Sequence, residues 1–398
     1  MSNAMPERVL NSVCTLDCPD TCSLSVTVRE DRLVAVRGSQ ANPFTGGAIC
    51  SKVSSSYPDF VHGENRLTRP LLRTGTRGSR AYAPINWSEA MDRVYDGFTR
   101  AIDRFGPQSV LPLNYAGPHG ELAGGSMDRR FFYKLGASLL DRGPLCGGVR
   151  GSAYTSLYGN APGMAPEQAA QADLILVWGN NVTVSNLHLA RVIKAARSQG
   201  ARLVVIDPKR TRIAEQADLY LQIAPGTDVV LGQLMAAVLE RRGAFDEAFI
   251  ADWVDGVEAY MAEARKYGLS DAQEICGLST DDVETFLDWY MQAERVAVSI
   301  GNGIERGRSG GSGLRAAMAL QALTGNHGRA GAGVMAKPGL AFPKTTERLQ
   351  RPDFIPDGTR TFNIVDVARH ILDAELDIPV AAVMIYNHNP VCTHPDQN

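Results

Sequence analysis

Cys14, Cys18 and Cys22 are each separated by three residues, and Cys50 follows after a gap of 27. Four thiolates are what an iron–sulfur cube takes, one per iron. Three in a tight loop and a fourth returned by a hairpin is a workable way to deliver them. A structural zinc site also accepts four cysteines, though usually from two knuckles of short spacing. A third reading is four unrelated thiols, because free cysteine is often buried. Lys52 comes two residues after Cys50; away from a cofactor, a lysine is ordinarily solvated.

The elements that must position these residues follow from the hydrophobic pattern. Leu24, Val26 and Val28 alternate with polar residues as a half-buried strand does. Glu30-Asp31 makes a turn and residues 33–36 return, a hairpin that brings Cys50 back. Residues 7–64 are thus expected to form a small cluster domain, its bound metal offsetting a small core. A Pro-, Gly- and Arg-containing connector covers 66–85. A helix is predicted from Ser88, a good N-cap, with Ala90, Met91, Val94, Tyr95, Phe98 and Ile102 at helical spacing and Gly106-Pro107 as its stop. Residues 109–115 read as a strand, and the glycine-rich loop 117–125 has no phosphate-loop pattern.

From Asp173 the chain alternates strand and helix. Leu174–Trp178, 203–206, 219–223 and Val296–Ile300 are continuous apolar runs, as in parallel strands buried on both faces. They end in Gly179-Asn180-Asn181, Asp207-Pro208-Lys209-Arg210-Thr211, Gly226-Thr227-Asp228 and Gly301-Asn302-Gly303. The alternation implies a doubly wound α/β domain, in which ligands sit beyond the carboxyl ends of the strands. Glycine there lets a nucleotide approach the backbone, and an aspartate can accept from both N–H groups of a guanine edge; loops are also rich in such residues without any ligand. No G-x-G-x-x-G fingerprint follows a strand. A helix through Leu314, Met318 and Leu323 ends at Thr324-Gly325-Asn326-His327, and 380–386 is a strand ending in Asn387-His388-Asn389-Pro390.

The chain has 398 residues, 44% hydrophobic and 21% charged, which is the range of a folded protein of two or three domains. A net charge of −3 leaves no electrostatic footprint for nucleic acid, and no apolar run approaches the ~20 residues of a membrane span. Seven cysteines, four of them clustered, argue for a reducing compartment rather than a disulfide framework. No leader is seen before the first motif, so a cytoplasmic enzyme is expected. Cys276 and Cys392 are assigned to packing or to no role, and His62, His119, His188, His370 and His394 show no metal-binding spacing.

Cys14-Thr-Leu-Asp-Cys-Pro-Asp-Thr-Cys22, Asn42-Pro-Phe-Thr-Gly46 and Cys50-Ser-Lys52 resemble the opening of the molybdopterin oxidoreductases of the dimethyl-sulfoxide-reductase superfamily. Arg66-Leu-Thr-Arg-Pro-Leu71, Trp178-Gly-Asn-Asn181, Ile206-Asp-Pro-Lys-Arg-Thr211 and Pro225-Gly-Thr-Asp228 extend that resemblance along the chain. It implies a 4Fe-4S cluster on Cys14, Cys18, Cys22 and Cys50, and molybdenum or tungsten held by bis-molybdopterin guanine dinucleotide. Lys52 would be the electron relay between cluster and pterin. Cys146, in the glycine loop 142–152, would be the protein ligand to the metal, a soft donor for a thiol-rich centre; a small buried hydrophobe is the other reading, and Ser152 the alternative ligand. Gly179, Asn180, Asn181, Asp207, Pro208, Arg210, Thr211, Gly226, Thr227, Asp228, Gly301, Asn302, Gly303, Gly325 and Asn326 would contact the cofactor. Asn387, Asn389 and Pro390 match the second dinucleotide contact.

The implied architecture is α/β: the cluster domain, then two interleaved doubly wound domains, 65–140 plus 334–398 and 141–333. The implied reaction is two-electron redox of a small molecule, with electrons relayed to a partner protein or subunit. A pterin-free scaffold subunit and a non-redox hydratase on the same cofactors are the alternatives. Gly147 stands where formate dehydrogenases of the family carry histidine, and 337–343 departs from the family's usual segment, so the substrate is left open. Relatives of this kind continue beyond the position of Asn398, which implies a sequence spanning about half of such an enzyme.

Overall fold

A computed structural model of the chain describes residues 7–117, 120, 124–143, 145–336 and 338–394. His119 and Lys337, singled out in the sequence, lie outside the described residues. Two compact units are present. One comprises Met1–Asp17, Thr21–Pro144 and Lys344–Asn398; the other comprises Cys18–Asp20 and Leu145–Pro343. Residues 18–20 therefore belong with the later segment, whereas their neighbours on both sides do not.

The second unit is built on a five-stranded sheet in the order Leu219–Leu221, Arg202–Ile206, Leu174–Trp178, Val296–Ile300, Gly333–Met335. Every neighbouring pair is parallel. Leu174–Trp178 and Val296–Ile300 are buried throughout, which is why they read as unbroken apolar runs rather than alternating ones. The period of two persists inside the protein. Leu174, Leu176, Trp178, Val204, Ile206, Val296, Val298 and Ile300 face one core, while Ile175, Val177, Leu203, Val205 and Ala297 face the other. Helices Asp228–Arg241 and Gly310–Leu323 cover the first face, and a Cβ on Gly232 would meet Ala316 at 2.7 Å, so their backbones close tightly. Helix Leu187–Ser198 covers the other through Leu189, Ile193 and Ala196.

In the first unit an antiparallel sheet joins Arg8–Val13, Ser23–Arg29 and Arg32–Gly38. Glu30 and Asp31 both take positive φ, 50° and 59°, the requirement of a tight two-residue hairpin turn. Val110–Asn114 pairs in parallel with Ala382–Tyr386, and Leu139–Asp141 with Thr361–Asn363. The N-cap of helix Trp87–Phe105 lies two residues before the expected Ser88: Asn86 Oδ1 accepts from the Glu89 amide at 2.8 Å. An asparagine cap satisfies the same orphan amide that serine would have done.

His327 follows helix Gly310–Leu323 and is enclosed by aromatic rings, its centroid 4.7 Å from that of Tyr158 and 6.3 Å from that of Phe249. Its Nε2 is buried with no hydrogen-bond partner, and burial pushes the imidazole down to about 4. An unfolded histidine titrates near 6.5, so from there down to about 4 the unfolded chain takes up a proton that the folded chain refuses. Stability should fall with pH across that window, by roughly 3 kcal/mol at most from this group. His327→Phe should remove that part of the slope in urea melts run from pH 7 to 4; an unchanged slope would refute the assignment.

Candidate functional site

The strands of the second unit run outward in both directions from the pair Leu174–Trp178 and Val296–Ile300. The chain order reverses between them, which is where a doubly wound sheet opens a crevice at its carboxyl edge. Gly179 and Gly301 meet in that position. Gly179 has φ +61°, and a Cβ on Gly301 would lie 2.1 Å from the Gly179 carbonyl oxygen. The Gly303 amide donates to that same oxygen at 3.0 Å, and the Gly301 amide donates to the Trp178 carbonyl at 2.9 Å. Asn180 Nδ2 donates to Ser299 Oγ at 2.9 Å, tying the two loops by side chains as well.

Two carboxyl groups flank this crevice. Asp207 closes a turn by accepting from the Lys209 amide at 2.8 Å; burial raises its affinity for a proton, opposed by that amide and by the Lys209 charge. Asp228, the first residue of helix Asp228–Arg241, accepts from the Trp178 indole at 2.8 Å. Burial raises it too, the indole opposes, and the Asp207 charge adds to the rise. Thr227 Oγ1 donates to the Ala224 carbonyl at 2.8 Å and Ser309 Oγ to the Gly226 carbonyl at 2.9 Å, while the Cβ position of Gly226 faces open space. Pro208 offers its carbonyl to Gln222, Arg210 lies over the Tyr220 ring at 5.4 Å, and the Thr211 hydroxyl accepts from the Ala214 amide at 3.4 Å. Arg210 is thus engaged with strand Leu219–Leu221, and Thr211 with the turn that follows it.

Gly325 and Asn326 do not join this group. Asn326 Oδ1 accepts from the Val296 amide at 3.0 Å, at the amino end of the central strand. A Cβ on Gly325 would lie 2.3 Å from Asp246 Oδ2. Both residues close the opposite edge of the sheet. In the first unit, Asn387 takes φ +50° at the end of strand Ala382–Tyr386 and donates through Nδ2 to the Tyr115 carbonyl at 3.3 Å. Asn389 and Pro390 open the short helix Pro390–Thr393.

Cys146 sits in the second unit with φ +52°, two residues before helix Gly148–Tyr158. Its carbonyl accepts from Arg306 Nη1 at 3.4 Å. Gly147, Gly148, Gly151, Ser152, Thr155 and Ser156 line an open cavity of about 560 Å³ along one face of that helix. Two residues that the sequence reading passed over organise this region. The Arg150 guanidinium donates to the Ile300 carbonyl at 3.1 Å, and the Arg150 amide donates to Glu305 Oε2 at 2.8 Å.

Of the four clustered cysteines, Cys14, Cys22 and Cys50 pack with Leu24, Val36 and Val53, and the Cys14 amide donates to the Cys22 carbonyl at 2.9 Å. Lys52 lies exposed in the short helix Ser51–Ser54 immediately after Cys50. Cys18 belongs to the other unit, its thiol 3.8 Å from the Ser185 carbonyl. Asp20, also missed from sequence, is 4% exposed and accepts from the Leu187 and His188 amides at 2.8 and 3.1 Å, capping helix Leu187–Ser198. Among the described residues, no three His, Cys, Asp or Glu side chains converge on a single metal ion. A cube asks for something else, one thiolate on each of its irons.

A parallel sheet whose chain order reverses at a contact of glycine backbone defines a doubly wound α/β protein. More particularly, the chain belongs to the molybdopterin oxidoreductase family: that family's profile matches residues 66–398, and the profile of the molybdopterin oxidoreductase Fe4S4 domain matches residues 7–61. It is 34% identical over 391 residues to the probable oxidoreductase YoaE of Bacillus subtilis (strain 168), covering 98% of this chain and 57% of that one. Formate dehydrogenase H of Escherichia coli (strain K12) is 25% identical over 327 residues, 80% of this chain and 45% of that relative. The solved acetylene hydratase from Pelobacter acetylenicus superposes with a TM-score of 0.73 at 23% identity, over 88% of this chain and 48% of that one, a likeness of fold. The chain thus spans about half the length of these relatives.

Family membership brings a molybdopterin cofactor with molybdenum or tungsten, and a 4Fe-4S cluster. The chain fits them: soft thiol donors for iron, and a glycine-walled groove beside Cys146 with room for a bulky ring system.

The glycine contact at the switch point is open to direct measurement. Gly301→Ala should cost about 3 kcal/mol or more, since the neighbour it meets is backbone and cannot yield. Gly97→Ala, in helix Trp87–Phe105 with nothing within 4 Å of its Cβ position, should instead stabilise by about 0.5–1 kcal/mol. Equal urea midpoints for the two variants would contradict this.

Proposed function

We propose that the chain is the cofactor-holding part of a molybdenum- or tungsten-dependent oxidoreductase acting on a small molecule in the cytoplasm, with an electron-transfer protein or subunit as partner. The observation that carries the reading is the glycine-built switch point with Asp207 and Asp228 at its rim, in a chain that opens with the four-cysteine motif. When bound, the metal–pterin group supplies two-electron chemistry and the cluster one-electron transfer, while the protein supplies binding and electrostatics.

Each residue has a definite task in this reading. Cys146 contributes the protein thiolate to the metal, and Gly147, Gly148 and Gly151 keep the groove beside it free of side chains. Asp207 and Asp228 offer carboxylate oxygens to the N–H edge of a guanine. Gly179, Asn180, Asn181, Gly301, Asn302 and Gly303 present backbone and amide groups to the dinucleotide, and Pro208, Gly226 and Thr227 shape its far wall. Cys14, Cys18, Cys22 and Cys50 hold the cluster, with Lys52 beside it as the relay. Asn387, Asn389 and Pro390 serve the second dinucleotide. No helix among the described residues is long and apolar enough to cross a membrane.

Protein produced anaerobically should contain about four iron atoms per chain, together with molybdenum or tungsten and guanine nucleotide released by acid. Cys146→Ala should lower the bound molybdenum or tungsten by roughly tenfold or more while leaving iron unchanged. Iron without either heavier metal and without guanine would sink the reading, and a Cys146→Ala variant with full metal content would remove Cys146 from it.

A further inference from the structure

Glu305 is 6% exposed and lies in the turn Ile304–Arg306 just beyond the switch-point glycines. Its two oxygens are treated differently. Oε2 accepts from the Arg150 amide at 2.8 Å, in the first turn of helix Gly148–Tyr158, whose own N-cap, Gly147, has no side chain to offer. Oε1 is buried with no hydrogen-bond partner. A buried carboxyl with one oxygen unpaired is costly to keep, so its retention calls for a task. The neighbouring residue points to one. Arg306 Nη1 donates to the Cys146 carbonyl at 3.4 Å, and Cys146 is held at φ +52°, a conformation that a non-glycine residue seldom adopts unaided.

The backbone of Glu305 is itself fixed. A Cβ on Gly310 would lie 2.7 Å from the Glu305 Cα, so helix Gly310–Leu323 begins pressed against it. Arg150 closes the arrangement by donating to the Ile300 carbonyl at 3.1 Å, the last residue of the central strand. The loop bearing Cys146 is thus gripped from two sides by adjacent residues that hang from the end of that strand. Burial raises the Glu305 proton affinity, against the Arg150 amide and the Arg150 and Arg306 charges. Its cap on Arg150 needs only an acceptor oxygen, and either protonation state supplies one.

We propose that Glu305, with Arg306, is the positioning device for Cys146: the buried carboxyl anchors the helix that follows the thiol, and the guanidinium holds the thiol's own peptide in its left-handed turn. This rests on the reading of Cys146 as the metal's protein ligand, but it can be tested without the metal. In the metal-free chain, iodoacetamide alkylation of Cys146 is followed by mass spectrometry of its peptide, with the exposed Cys392 as internal standard. Glu305→Ala and Arg306→Ala should each speed alkylation of Cys146 by at least threefold relative to Cys392. Glu305→Gln, which keeps an acceptor for the Arg150 amide, should stay within twofold of the parent.

Should Glu305→Ala fail to fold, Glu305→Asp, one methylene shorter, carries the same expectation, with circular dichroism as the check on folding. A folded Glu305→Ala or Glu305→Asp whose Cys146 reacts at the parental rate overturns the proposal. So does a Glu305→Gln variant that behaves like the alanine one. Metal retained by Cys146→Ala in the anaerobic experiment would instead overturn the ligand reading and leave the alkylation result standing.

Discussion

The approach of Gly301 to the Gly179 carbonyl sets the geometry of the second unit's carboxyl edge. The two strands that diverge in chain order must part there, yet the first residues beyond them remain in backbone contact. Only glycine permits this, and φ +61° at Gly179 makes the same demand. The crevice is therefore walled by peptide groups rather than side chains. Peptide groups in such contact have a fixed shape and leave no room for a side chain between them. The rest of the unit serves that edge. The Trp178 indole fastens Asp228, Asn180 fastens Ser299, and Gly232 lets two covering helices close over the sheet.

Three carboxyls, Asp207, Asp228 and Glu305, are all drawn toward holding a proton, in each case first by burial. Two of them also meet helix beginnings: Asp228 starts Asp228–Arg241, and Glu305 accepts from the first turn of Gly148–Tyr158. A helix amino terminus carries partial positive charge and unpaired amides. It stabilises a carboxylate that burial alone would disfavour. The same physics holds Asp20 on helix Leu187–Ser198. Charge near the crevice is thus managed by backbone dipoles and a few arginines rather than by close ion pairs.

How much of this was legible beforehand depended on the range of the interaction. The unbroken apolar runs at Leu174–Trp178 and Val296–Ile300 announced strands covered on both faces, and the polar clusters after them marked the loops that gather at the sheet edge. The Glu30-Asp31 turn was visible because turn chemistry is local. Strand Arg8–Val13 was not: it is exposed along its length and owes its existence to pairing with Ser23–Arg29. Asn326 stood in a motif beside a helix end, and its partner is the amide that begins strand Val296–Ile300, 30 residues away and out of reach of any local pattern. Glu305 and Arg150 are 155 residues apart, and no local pattern joins them.

The capture of Asp20 by the Leu187 and His188 amides fixes an order of events in the life of the chain. The acid and its amides are separated by 167 residues. At a translation rate of about 5–20 residues per second, roughly ten to thirty seconds pass between them at the ribosome. Through that interval residues 18–20 lack the amides that hold them in the folded chain. This part of the opening motif therefore reaches its folded conformation only once the later segment has been made, so the amino end of the chain is not the first to be finished.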